Sequence, residues 1–347
     1  QFERVLPASS VANLYPFNYS GKTDPQGFYI GRDKFGSNVL VDFNRRADDK
    51  TNANILILGN SGQGKSYLLK LLLTNLRESG MHICALDPEM EYEDLTNNLG
   101  GCFIDLMSGD YIINPLEPKT WDDAGSPEDL DAPQTFRIRS RLSQHISFLK
   151  DFFRSYKDFT DREIDVIEIM LQKLYARWGL TDQSDFDRLD SGDYPILSDL
   201  YAFIEEEYRA FDAKNYPLYT AEMLQSILLG LNSMCVGAES KFFNGHTNIT
   251  DDSFITFGVK GLLQASRNLK DALLFNVLSF MSDELLTQGN TAASLDEFYL
   301  FLSNLTAVEY VRNFMKRVRK KDSAVIIASQ NLEDFNLDGV KEYTKPL

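Results

Sequence analysis

Cysteine, histidine and tryptophan are scarce in this sequence: three, three and two residues in 347. Cys84, Cys102 and Cys235 form no CxxC pair, and His82, His145 and His246 form no matching cluster. That excludes a disulfide framework and a zinc module, and it fits a reducing compartment. No apolar run approaches the roughly 18 residues of a membrane span. The opening QFERVLPASS has neither the basic nor the apolar region of a secretory leader, so the chain reads as neither anchored nor exported by a signal of its own. Positive charge is also short. Thirty-five Lys and Arg stand against 51 Asp and Glu, a formal net charge of −16. Such a balance disfavours a surface that coats polyanions, although a local basic patch stays compatible with nucleic acid.

What is present is ordinary globular material, 43% hydrophobic and 25% charged, which excludes wholesale disorder and collagen-like classes. At about 150 residues per domain the length suits one large or two ordinary domains. An opening Gln1 and a close on KEYTKPL in mid-pattern are what a piece of a longer protein would show.

Residues 1–50 carry turn punctuation around two strand-like runs, GFYIG and NVLVDF, and read as a β-rich leading arm. From Asn54 the order is strand (ILILG), Gly-rich turn, helix to Gly80, strand (MHICALD), short helix (EMEYEDLTNNL) and strand (GCFIDL), which predicts βαβ alternation and a parallel sheet. The acidic stretch WDDAGSPEDLDAP then marks a linker or exposed loop. Four helices are expected over 134–156, 161–178, 196–212 and 219–235, with Ile164, Ile167, Met170, Leu171 and Leu174 at helical spacing. Alternation resumes with SFITFGV, a helix over 268–288, TAASLDE, a helix over 306–321 and the strand AVIIAS. The expected class is therefore α/β, a mostly parallel sheet flanked by helices. Its core is expected over 51–117 and 250–347, interrupted by an all-α subdomain over 118–249.

Gly59, Asn60, Ser61, Gly62, Gln63, Gly64, Lys65 and Ser66 fit G-x-x-x-x-G-K-[ST] directly after a strand and at the start of a helix. In that setting the glycines let backbone N–H groups close round phosphates, Lys65 reaches the β- and γ-phosphates, and Ser66 ligates Mg²⁺. Tyr67, next in line, joins this nucleotide-binding set. Two Asp-Glu pairs compete for the second magnesium-positioning site. Asp283-Glu284 lies inside an expected helix and so on its polar face, whereas Asp296-Glu297 ends an expected strand and leaves room for a crossover helix before AVIIAS. Placement favours Asp296 for the metal shell and Glu297 as general base for water.

RNFMKRVRKK, residues 312–321, holds six bases and no acid. It reads either as charges complementing a helix C-terminus or as an arginine finger for a neighbouring subunit. Gln330 follows AVIIAS, where a polar side chain would face a bound nucleotide or simply sit in a loop. The acids of Asp87-Pro88-Glu89-Met90-Glu91-Tyr92 read best as favouring the N-terminus of the next helix, and His82 and Cys84 as packing.

Taken in order, NILILGNSGQGKS, ALDPEMEYEDLTNNLGG, IINPLEP, LDE and KRVRKKDSAVIIASQN resemble the type IV secretion and conjugation ATPases of the VirB4 (TraC-like) family, within the wider HerA/FtsK group. The likeness covers roughly residues 27–115 and 250–340 and corresponds to the C-terminal ATPase domain. It implies a RecA-like P-loop NTPase fold, ATP and Mg²⁺ at Lys65 and Ser66, a Walker B pair at Asp296 and Glu297, an arginine-finger motif at Arg319 and Lys320, and a sensor glutamine at Gln330. Ala292, Ala293 and Ser294 are small where that family carries bulky aliphatics. The resemblance further implies a motor at the cytoplasmic face of the inner membrane. It would work as a hexamer or lower oligomer with other secretion-system subunits, powering pilus assembly and substrate passage. A DNA-translocating coupling-type or HerA/FtsK-like ATPase is the alternative, and the acidic composition leans against direct DNA tracking. A module that binds ATP without turning it over is disfavoured by Glu297, and a GTPase by the lack of NKxD.

A finger supplied in trans is worth about 10³- to 10⁵-fold in rate, and only when a second subunit is docked. Specific ATPase activity is therefore expected to climb with protein concentration, and Arg319→Ala to flatten that climb while monomeric nucleotide binding persists. Mixing Arg319→Ala with Glu297→Gln subunits should restore part of the activity. A mixture that stays inactive while mixed oligomers form returns the cluster to helix-end charge.

Overall fold

The computed structural model describes residues 24–43, 53–120, 140–212, 218–249, 253–301 and 322–330, with isolated positions 8, 308, 311 and 315. The acidic linker, the expected helical residues 134–139, and Arg319 and Lys320 of the basic cluster lie outside them.

Strands β1 (Phe28–Arg32) and β2 (Asn38–Val41) pair antiparallel as a small hairpin. The main sheet has six strands: β3 (Ile55–Leu58), β4 (His82–Asp87), β5 (Cys102–Asp105), β6 (Phe254–Gly258), β7 (Thr291–Leu295) and β8 (Ala324–Ser329). Their order is β3-β8-β7-β4-β6-β5, and every pairing is parallel, as the strand and helix alternation predicts. Side chains alternate between two buried faces. Ile57, Ile83, Ala85, Ala292, Ile326 and Ala328 meet Leu69, Leu72, Leu73 and Leu76 of α1 (Lys65–Glu78). Cys84, Leu86, Ile255, Phe257, Ala293, Leu295, Val325 and Ile327 turn to the other side. The small residues of β7 thus have a packing reason: Ala292 lies in the cluster beneath the α1 leucines and Ala293 in the one that holds the long helix next to the sheet.

After β4 comes the short helix α2 (Glu93–Asn98). Between β5 and β6 run α3 (Arg141–Tyr156), α4 (Asp161–Arg177), α5 (Leu197–Arg209), α6 (Ala221–Cys235) and the single turn α7 (Ser240–Phe243). The first of these starts at Arg141 because the Ser140 hydroxyl accepts the Ser143 N–H at 3.0 Å and caps it. Thr160 and Glu163 form a capping box at α4, and Thr220 caps α6. α8 (Arg267–Thr287) precedes β7 and is wedged between the sheet and this helical layer. Phe280 meets Phe257 of β6 edge-on, and Phe275 stacks on Phe148 of α3 with ring centroids 5.1 Å apart. Fifteen of its 21 residues are buried, so the helix has no polar face of the kind expected for Asp283. Asp283 instead turns its carboxylate to the Thr120 N–H at 2.7 Å. None of the described helices is long and apolar enough to cross a membrane.

The segment IINPLEP that links β5 to the helical layer is fastened on several sides. Asn276 donates to the Ile113 carbonyl, Asn114 to that of Pro195 and the Tyr175 hydroxyl to that of Leu116. His145, fully buried, donates from Nε2 to the Pro115 carbonyl at 3.0 Å while Nδ1 accepts the Lys119 N–H. Those two partners fix the neutral tautomer. Burial first, and the Lys119 charge second, push the imidazole down to about 3 from 6.5. Between those values only the unfolded chain binds the proton, so stability rises with pH across the window and falls on acidification. Below pH 6.5 this residue is expected to destabilise the fold by about 1.4 kcal/mol per pH unit. Urea unfolding of His145→Gln between pH 7 and pH 4 should show a pH dependence shallower by that amount.

Candidate active site

Parallel register carries the C-terminal ends of β3, β8, β7 and β4 to one edge of the sheet, where ligands bind in open α/β folds. Leu58 pairs with Ser329, Leu295 with Ile327 and Leu86 with Leu295, so the residues just beyond each strand become neighbours. They are Gly59, Gln330 and Asp296, beside Asp87, the last residue of β4. The chain turns from β3 into α1 through Gly62 and Gly64, both in the left-handed region with φ near 78° and 84°. No atom crowds an added Cβ at either, so it is conformation and not space that asks for glycine there.

A cavity of about 590 Å³ opens over this turn, lined by Asn60, Ser61, Gly62, Gly64, Lys65, Ser66, Tyr67, Glu89, Glu91, Asp296, Glu297, Tyr299 and Gln330. Of the nucleotide set expected from sequence, Gly59 and Gln63 are not part of this lining; the Gly59 N–H donates to the Ser329 carbonyl, and that of Gln63, an exposed residue, to the Asn60 carbonyl. Lys65 sits at the centre. Its ammonium, with a side chain only 7% exposed, bonds Glu297 Oε1 and lies 3.7 Å from Asp296 Oδ1. Gln330 donates to the other Glu297 oxygen at 3.2 Å. The structure therefore brings Lys65, Asp296, Glu297 and Gln330 into one hydrogen-bonded group, while Asp283 stays on α8 and outside the lining.

Residues 28–126 match the TraG P-loop domain family. The solved structure of VirB4 of Thermoanaerobacter pseudethanolicus is 30% identical and superposes with a TM-score of 0.79, over 94% of this chain and 82% of that one. The chain belongs to the VirB4 family. Among curated proteins, the uncharacterized protein pXO2-09 of Bacillus anthracis is 25% identical over 95% of this chain, and TraC of Escherichia coli K12 is 23% identical over the same share. The chain spans 55% and 35% of the lengths of those two relatives.

Two features of this VirB4 site escaped the sequence reading. The segment 87–92 does more than prepare a helix terminus: Glu93 and Asp94 occupy the first turn of α2, whereas Glu89 and Glu91 line the cavity. The left-handed Met90 between them, φ near 58°, turns the loop so that both acids face inward. Asp87 stays behind the lining and receives the backbone N–H groups of Glu89, Glu91 and Tyr92. Burial still outweighs them and raises its carboxyl above the usual range, with the Asp296 charge adding to the rise. Glu297 is the second surprise, a non-glycine residue with φ near 46°. Strain of this kind is held in place only when its surroundings over-determine it, here by Lys65 and Gln330. Spacing along the chain carries no signal for either turn.

Removing the ammonium would leave Asp296 and Glu297 facing the cavity without a counter-charge. Lys65→Ala is expected to abolish nucleotide binding in a fluorescence titration while circular dichroism stays that of the folded protein. Retained binding at wild-type affinity would show that Lys65 serves only the two carboxylates.

Proposed function

We propose that this VirB4-family chain is the ATPase portion of a type IV secretion or conjugation motor, hydrolysing ATP with Mg²⁺ to drive pilus assembly and substrate transfer. On this reading it acts at the cytoplasmic face of the inner membrane, in a hexamer or lower oligomer with other subunits of the apparatus. The segment 118–249 serves as an inserted helical subdomain on a P-loop core over 51–117 and 250–347, with residues 1–50 as a leading arm. The observation that carries the reading is the group formed by Lys65, Glu297 and Gln330 over the phosphate loop.

The chemistry assigned to each residue follows from its place. Backbone N–H groups at the start of α1, helped by the helix dipole, receive the phosphates. Lys65 exchanges part of its contact with Glu297 for the β- and γ-phosphates, and Glu297, released toward the cavity, takes the proton of the attacking water. Gln330 keeps the Glu297 carboxylate aimed as that proton moves. The products are ADP and inorganic phosphate. The hydroxyl of Ser66 and the carboxylate of Asp296 are hard oxygen donors on one cavity, which suits magnesium. Bound there, the ion would supply charge neutralisation to the β- and γ-oxygens. Of the four carboxylates in the lining, Glu89 and Glu91 are paired with Lys260 and Lys70, at 3.7 and 3.8 Å, while Asp296 and Glu297 share the Lys65 ammonium, so once Lys65 turns to the phosphates these two acids need a counter-cation.

Glu297→Gln is expected to bind ATP yet lower turnover by about 10²- to 10⁴-fold, the range for a lost general base. Asp283→Asn, on α8 and outside the cavity, should leave turnover per folded molecule close to wild type. Phosphate release from the two variants decides the assignment, and hydrolysis lost in the second but kept in the first would overturn it.

A further inference from the structure

Tyr92 is a fully buried side chain at the site that the mechanism above leaves unused. Its residue is fully buried within the hydrophobic cluster beneath α1, together with Leu69, Leu73 and Leu76. Three independent contacts hold it. Its N–H donates to Asp87 Oδ2 at 2.8 Å, closing the 87–92 loop on itself. The Lys70 ammonium, from the second turn of α1, lies 5.3 Å from the ring centroid. Its hydroxyl donates to Asp296 Oδ2 at 2.6 Å, in the range of a short charge-assisted bond.

The division of labour at Asp296 is then explicit. Oδ2 receives the Tyr92 hydroxyl, whereas Oδ1 receives the Glu297 N–H at 2.8 Å and faces Lys65 at 3.7 Å. A carboxylate on a short side chain rotates freely about its last bond unless both oxygens are engaged. Here one oxygen is tied to the neighbouring strand's loop and the other to the turn that presents Glu297. We propose that Tyr92 is a positioning residue for the metal-binding carboxylate of Asp296, setting the plane in which that carboxylate meets a magnesium-nucleotide complex. Hydrogen bonds from outside the coordination shell orient metal-binding carboxylates in this way, and losing one costs about 10- to 100-fold in metal affinity or activity.

The surroundings suit a permanent donor. With no exposure to solvent, the hydroxyl has no water to exchange for Asp296. The loop is itself braced: the Thr96 hydroxyl donates to the Tyr92 carbonyl, and Thr96 also bonds Thr256 on β6. The Asp-Pro-Glu-Met-Glu-Tyr segment thereby joins three strands to the site, which gives its closing tyrosine a role beyond packing.

The inference rests on the reading of Asp296 as a magnesium-positioning residue, and the test separates the two. Tyr92→Phe keeps the ring and removes one hydroxyl. Affinity for a fluorescent ATP analogue is measured in EDTA and across a magnesium titration, for wild type, Tyr92→Phe and Asp296→Asn, with melting temperatures recorded in parallel. In EDTA, Tyr92→Phe should bind as wild type does, whereas its half-saturating magnesium concentration should rise by about 10-fold or more. An unchanged magnesium response in Tyr92→Phe, alongside a shifted one in Asp296→Asn, sinks the positioning role and leaves the metal reading intact. Equal weakening with and without magnesium marks the tyrosine as packing alone and overturns the proposal. Should Asp296→Asn itself leave the magnesium response unchanged, the metal reading fails, and the role of Tyr92 fails with it.

Discussion

Both faces of the central sheet are covered, by the leucines of α1 on one side and by α8 with the helical layer on the other, so polar chemistry has no place on either face. It is displaced to the C-terminal edge, where the strands hand over to loops. Strict parallel pairing then does the rest, because β3, β8, β7 and β4 all run toward that edge, with Leu58 opposite Ser329 and Leu295 opposite both Ile327 and Leu86. Lys65, Gln330, Asp296 and Asp87 are brought together by that register although more than 260 residues separate the first from the second along the chain. An antiparallel strand among them would send its loop to the opposite edge and dismantle the group.

What the edge assembles is an unusual balance of charge. Lys65 is nearly buried and touches both Asp296 and Glu297, whose side chains are 9% and 15% exposed. Charges this far from water are costly unless paired and hydrogen-bonded. The Tyr92 hydroxyl, the Gln330 amide and the Glu297 N–H supply those bonds. Part of the energy that holds the group is stored as backbone strain at Glu297, since a left-handed glutamate costs of order 1–3 kcal/mol. The same turn aims its carboxylate back over the phosphate loop instead of along the strand.

Much of this was legible in the sequence because it follows from local rules. The Gly-rich turn between ILIL and KSYLL, and the choice of Asp296 over Asp283, need only strand and helix periodicity together with room for a crossover. The four helices expected over 134–156, 161–178, 196–212 and 219–235 follow from their apolar spacing, and among the described residues they run as α3, α4, α5 and α6. What was not legible depends on long-range geometry. Nothing in DPEMEY says that Tyr92 will reach a residue 204 positions away, nor that Glu89 and Glu91 will line the cavity while Glu93 and Asp94 occupy the first turn of the helix. The small residues Ala292 and Ala293 look anomalous in a strand until the leucine-rich α1 and the aromatic α8 appear on either side of them. His145, unremarkable in sequence, becomes a buried neutral group because the Pro115 carbonyl and the Lys119 N–H each claim one ring nitrogen.

The charge distribution has a consequence for how the proposed site would select what enters it. The chain carries −16 overall, and four of the five charged side chains lining the cavity are acidic. The helix N-terminus and Lys65 provide the only strong local attraction for phosphate among the described lining residues. A bare polyphosphate would gain those contacts while facing Asp296 and Glu297, the two nearly buried acids, where screening by salt is weakest; Glu89 and Glu91 are exposed and paired with Lys260 and Lys70. A nucleotide already carrying a divalent cation reverses the sign of that second term, because the carboxylates then face positive charge. These two acids thus make the cation-nucleotide complex the favoured ligand on the proposed reading. On the proposed reading, selectivity arises from the field of the cavity before any single ligand bond is formed.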